Sequence, residues 1–76
     1  MNVERLVAMA NDIANFFVAE PDRQTAVDGM ANHLKKFWEP RMRKQIVAYA
    51  QAQGAAGLSS LASAAVARLA EVDGKV

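Results

Sequence analysis

Lys35-Lys36-Phe37-Trp38-Glu39-Pro40-Arg41-Met42-Arg43-Lys44 is the stretch that sets the architecture, because it ends one helix and begins another with almost no chain between them. A proline cannot continue a helix from within, but it sits well at the first helical position, where its missing N–H is not needed. The segment before Pro40 therefore stops at Trp38 or Glu39, and a new helix starts at Pro40, with Glu39 able to help at the cap. Upstream, Val27, Met30, Ala31, Leu34, Phe37 and Trp38 recur at three-and-four spacing, and Asp22 is a candidate N-cap. Downstream, Met42, Ile46, Tyr49, Ala50 and Gln53 continue a helical face until Gly54, a natural C-terminal stop.

Working outward, Leu6, Met9, Ala10, Ile13, Phe16 and Phe17 give an earlier helix with Asn2 as its cap, Glu4 in its first turn and Pro21 closing it. After the loop Gly54-Ala55-Ala56-Gly57, Ser59 or Ser60 opens a last helix whose stripe is Leu61, Ala62, Ala65, Val66, Leu69 and Val72. No run alternates apolar and polar residues as a strand does. The pattern predicts an all-α fold, a single domain over residues 1–76 with helices at about 3–19, 22–38, 40–53 and 59–73. Met9, Met30 and Met42 read as core residues. Gly29 inside the second helix costs roughly 1 kcal/mol against alanine, which predicts a close backbone approach there by the first helix.

A chain of 76 residues hides only about 60% of its unfolded surface, which leaves little surplus over chain entropy. With no cysteine and one histidine, neither disulfides nor a structural metal can staple it. The missing cysteines also remove iron–sulfur ligation, thiol nucleophiles and cysteine-based zinc sites. His33 has no second histidine to share a metal and reads as a helix-face residue hydrogen-bonded to a neighbour. The loop Gly54 to Gly57 lacks the Lys-Ser/Thr signature of a phosphate loop. Together these features predict no catalytic, cofactor-binding or metal-binding residue in the chain.

Net charge is +1, far from the strongly basic balance of nucleic-acid binders. The charge-free run from Gln45 to Ala67 is long enough to span a bilayer but carries three Gln, three Ser and two Gly, which argues against a membrane span. Met1-Asn2-Val3-Glu4-Arg5 is unlike a secretory signal, so the expected location is the cytoplasm.

Residues 35 to 44 hold five of the nine basic residues and the only Trp. Lys35 and Lys36 suit the carboxyl end of a helix. Arg41, Arg43 and Lys44, in contrast, fall in the first turn or so of the third helix, where the macrodipole disfavours each cation by roughly 0.3–1 kcal/mol. Arg beside Trp is a pairing enriched in interface hot spots. The functional reading is a docking corner made of Lys36, Trp38, Glu39, Arg41, Arg43 and Lys44, with one ring of the Phe16-Phe17 pair, taken as Phe17, at its margin. The structural alternative has Glu39 and Asp28 pairing with these bases while Phe37 and Trp38 fill the core. A mixed arrangement, with the rings inside and Arg41 and Arg43 facing out, combines the two.

Met9-Ala10-Asn11-Asp12-Ile13-Ala14-Asn15-Phe16-Phe17, then His33, then Lys36-Phe37-Trp38-Glu39-Pro40-Arg41-Met42-Arg43 resemble the delta-subunit family of NAD-dependent, molybdenum-containing formate dehydrogenases. The resemblance covers residues 5 to about 50; the Ala-rich last third is generic. It implies a small accessory subunit of a cytoplasmic complex that oxidises formate to carbon dioxide and passes electrons to NAD. It further implies that the molybdenum cofactor, iron–sulfur clusters, FMN and NAD belong to larger partner subunits, and that this chain supports assembly or stability. A free assembly chaperone and a small helical nucleic-acid-binding regulator remain as alternatives. In the isolated chain, the charge-free Ala-rich surface of the last two helices predicts self-association or modest stability.

Overall fold

The computed structural model describes residues 2–73. Four helices follow one another: α1 (Val3–Phe17), α2 (Arg23–Phe37), α3 (Pro40–Gln53) and α4 (Ser60–Asp73). There is no strand among the described residues, and the fold class is the expected all-α bundle.

Local chemistry accounts for the helix ends. The Asn2 side chain accepts from the Glu4 N–H at 2.7 Å, and Asp22 accepts from the Thr25 N–H at 2.9 Å, each satisfying a donor that has no partner within its helix. The Asp22 carboxyl is held below its ordinary pKa by the Thr25 hydroxyl and then by the Thr25 backbone N–H. Ser59 caps α4, accepting from the Ala62 N–H at 3.2 Å. Pro40 occupies the start of α3 as expected, but Glu39 makes no side-chain cap bond there. α3 stops at Gly54, whose φ of 62° is left-handed backbone that glycine adopts without Cβ strain. α1 is shorter than expected: Val18 closes its last turn, with its N–H on the Ala14 carbonyl at 2.9 Å.

α2 and α4 form the closest pair, and they run side by side in the same direction. Arg23 at the start of α2 bonds to Ser60 at the start of α4, while Asp28 one turn on meets Arg68 at 3.3 Å. In an up-and-down bundle these are the diagonal helices, normally held apart by the side chains between them. Ala26 and Ala31 on α2 and Ala62 and Ala65 on α4 are all buried, and such small side chains let the two axes approach. The Ala-rich last helix therefore points much of its alanine inward, contrary to the expected Ala-rich surface. Around this seam, Leu6, Met30, Leu34, Ile46, Val66 and Leu69 are fully enclosed. Met9 and Met42 are partly buried against the same core.

Gly29 has a specific tenant. A Cβ built there stands 3.0 Å from Cε1 of Phe17, so the close approach from α1 is made by an aromatic side chain and not by backbone. The α3–α4 loop is pinned from two sides. Asn11 on α1 donates to the Gly57 carbonyl at 2.9 Å and accepts from the Ser59 N–H at 2.8 Å. Tyr49 Oη donates to the Ala56 carbonyl at 2.7 Å.

Candidate functional site

The corner between α2 and α3 consists of two residues, Trp38 and Glu39. Trp38 leaves the helix in extended backbone, φ −88° and ψ 139°. As the chain leaves the helix there, the ring of Trp38 turns inward to 5% exposure, while Phe37, the last residue of α2, stays 72% exposed. Trp38 is thus a core residue, and the expectation that Phe37 also fills the core is corrected. Phe37 still belongs to the turn of α2 that faces outward.

Arg43 is an internal clamp. Its Nε meets Asp73 Oδ2 at 2.7 Å, and one terminal nitrogen donates to the Trp38 carbonyl at 2.7 Å and to the Lys35 carbonyl at 3.0 Å. The last carbonyls of α2 have no acceptor role left within the helix, and the guanidinium supplies donors in a fixed fork. Arg43 therefore sits unfavourably for the dipole of α3 but favourably for that of α2. Its expected outward orientation is replaced by this inward one, because two carbonyls and a carboxylate converge on a position 17% exposed. The acids anticipated for internal pairing are also different ones. Asp28 is engaged by Arg68 and Gln24, and Glu39 forms no ion pair among the described residues.

What remains on the outside of the corner is Lys36, Glu39, Arg41 and Lys44, all exposed. Lys35, Lys36, Arg41 and Lys44 have no ion-pair partner among the described residues. Residues 35–44 carry a net charge of +4, and with Arg43 neutralised by Asp73 the exposed residues among them still carry +3 against −2 for the remainder of the chain. Lys44 also lines a groove of about 530 Å³ between α3 and α4, together with Pro40, Val47, Gln51, Ala70 and the Arg43–Asp73 pair.

A second surface joins the first at Phe37. Phe17, which the sequence places at a margin, is half-buried over Gly29, and its neighbour Phe16 is the freer ring at 79% exposure. Phe16, Phe17, His33 and Phe37 touch in succession. The Phe-Phe dipeptide signals one exposed ring, and the spacing of His33 and Phe37 puts them on one helix face; the link from Phe17 to His33 needs the packing of α1 on α2 and has no signal in the sequence. His33 is in ring contact with Phe17 and Phe37.

The chain has no cysteine, and no group of three or more His, Asp or Glu that could hold a metal ion gathers among the described residues. Among the described residues no helix is long and apolar enough to cross a membrane. The arrangement offers contact chemistry, namely exposed rings and solvated cations held on a rigid two-helix corner.

Comparison with curated proteins and with solved structures gives no match. The model of the NADH-dependent formate dehydrogenase delta subunit FdsD matches residues 5–66, which takes in the Phe-Phe dipeptide, His33, the whole corner and the first half of α4. With the greater part of its length covered by that model, the chain belongs to the FdsD family of formate dehydrogenase delta subunits.

Proposed function

We propose that this chain is a non-catalytic accessory subunit of a cytoplasmic, NAD-dependent, molybdenum-containing formate dehydrogenase, and that it docks on the larger subunits and supports assembly or stability of the complex. Family membership supports the complex; the corner supports docking. The observation that carries the docking reading is the set of exposed cations on the outer side of a corner whose inner side is locked by Trp38 and Arg43. Such a device holds its contact residues in place before binding, which lowers the ordering cost of association. Lys36, Glu39, Arg41 and Lys44 are the contact residues, with Phe17 supporting the aromatic margin. Trp38 and Arg43 shape the corner from within. The molybdenum cofactor, iron–sulfur clusters, FMN and NAD reside in the larger subunits.

Native purification of the enzyme followed by gel filtration and mass spectrometry tests the proposal. The chain is expected to remain stoichiometric with the larger subunits. Its loss during filtration would indicate an assembly factor that leaves the mature enzyme, and its appearance with nucleic acid would indicate a regulator. Calorimetry of the isolated chain with NAD is expected to show no saturable binding.

A further inference from the structure

Phe16 and Phe37 are 79% and 72% exposed, in a molecule whose other aromatic side chains are buried or half-buried. They are the two ends of one connected patch. Ring centroids lie 5.3 Å apart for Phe16 and Phe17, 6.1 Å for Phe17 and His33, and 4.8 Å for His33 and Phe37, within the range in which rings hold one another. Phe17 is the fixed member, seated over Gly29. Between Asp12, Ile13, Phe16 and His33 a notch of about 350 Å³ opens to solvent. Lys36 lies next to Phe37 in the chain and one turn beyond His33, and Arg41 follows across the corner; both are exposed. An apolar centre with a polar rim is the anatomy of a protein–protein contact.

Resting on the docking role proposed above, we infer that the aromatic patch and the basic corner are one composite contact surface. Its occupant is an acidic segment of a larger subunit, which presents aliphatic side chains to Phe16, His33 and Phe37 and carboxylates to Lys36 and Arg41. Charge decides the occupant. With Arg43 paired to Asp73, the exposed residues of the corner, Lys35, Lys36, Glu39, Arg41 and Lys44, carry +3 and the remainder of the chain −2, so an acidic surface is drawn to this side of the molecule. A second copy fits poorly, because an isologous pair lays the same patch on itself and would bring two basic corners together. The rings supply the anchoring area, since large, well-held aromatic side chains dominate interface energetics.

The test uses the purified larger-subunit formate dehydrogenase lacking this chain as the probe, titrated with the full chain at low and high salt. Wild type is expected to bind, and to bind less tightly as salt rises. Phe16→Ser combined with Phe37→Ser is expected to weaken binding by about tenfold or more with melting nearly unchanged. Lys36→Glu combined with Arg41→Glu is expected to weaken it most at low salt, the difference narrowing at high salt. If wild type binds and both double variants bind equally well, the composite surface is wrong while the docking role stands. If wild type itself does not bind, the docking role fails and the inference with it. A dimer of the isolated chain in the ultracentrifuge that Phe16→Ser dissolves would overturn the choice of occupant in favour of a second copy.

Discussion

The inner and outer sides of the α2–α3 corner are built from residues interspersed in one short stretch, yet they differ in what their polar groups do. On the inner side, Trp38 is buried and Arg43 has its donors engaged by Asp73 and by the carbonyls of Lys35 and Trp38. On the outer side, Phe37 is open to solvent and Lys36, Arg41 and Lys44 stand without ion partners among the described residues. The inner side is therefore a matter of stability and the outer side a matter of association. The contrast also shows how a cation placed against the dipole of one helix can be retained: the end of the preceding helix offers it carbonyls. Arg41, two residues away, has no such compensation, which makes it the stronger candidate for an external role.

Substitutions can break this contrast or sharpen it. Trp38→Ala is expected to cost about 3–5 kcal/mol of stability, as large core truncations do, whereas Phe37→Ala should stay within about 0.5 kcal/mol. Equal losses for the two in thermal melts would abolish the distinction between sides. Arg43→Ala is expected to cost about 1.5–3 kcal/mol, because charge-assisted bonds to carbonyls and to a carboxylate disappear. Arg41→Ala should leave melting unchanged or raise it slightly, since it removes a cation from a helix start. A destabilised Arg41 variant beside an unaffected Arg43 variant would reverse the assignment.

Away from the corner, Asn11→Ala tests whether the α3–α4 loop is held from α1. Two partners, the Gly57 carbonyl and the Ser59 N–H, lose their bond, at an expected cost of about 1 kcal/mol. Hydrogen exchange at Ser59 should speed up with it; unchanged protection there would show that Tyr49 alone holds the loop. The smallest effect concerns pH. The Asp22 carboxyl is depressed in the folded chain by its Thr25 bonds, so its contribution is present above the unfolded pKa of about 3.9. It is lost as pH falls through the folded value. Asp22→Asn, which keeps a capping oxygen, should flatten that acid-side loss; an unaltered pH profile would assign the loss to other groups.

Much of the bundle was legible before any coordinates because the relevant interactions are local. Asn2, Asp22, Pro40 and Gly54 act on groups within a few residues of themselves, and an apolar stripe needs only the helical period to be seen. The candidate site was legible in place but not in direction. A side chain's identity does not say which way it turns when the backbone leaves the helix at Trp38, where two neighbouring rings part, Phe37 exposed and Trp38 buried.

By itself, the sequence determined the number and type of elements, their caps and stops, the absence of thiol chemistry and the location of the basic cluster, since each follows from composition or from contacts within a turn or two. Tertiary structure alone decided that Arg43 looks inward, that Asn11 pins the last loop, that Phe17 covers Gly29, and that Phe16 and Phe37 end on one surface. The partners involved lie 30 residues apart for Arg43 and Asp73 and 46 for Asn11 and Gly57. At such separations no local rule selects a partner; the packing of α3 on α4 brings Arg43 to Asp73, that of α1 against α3 and α4 brings Asn11 to the loop, and that of α1 on α2 joins the aromatic rings.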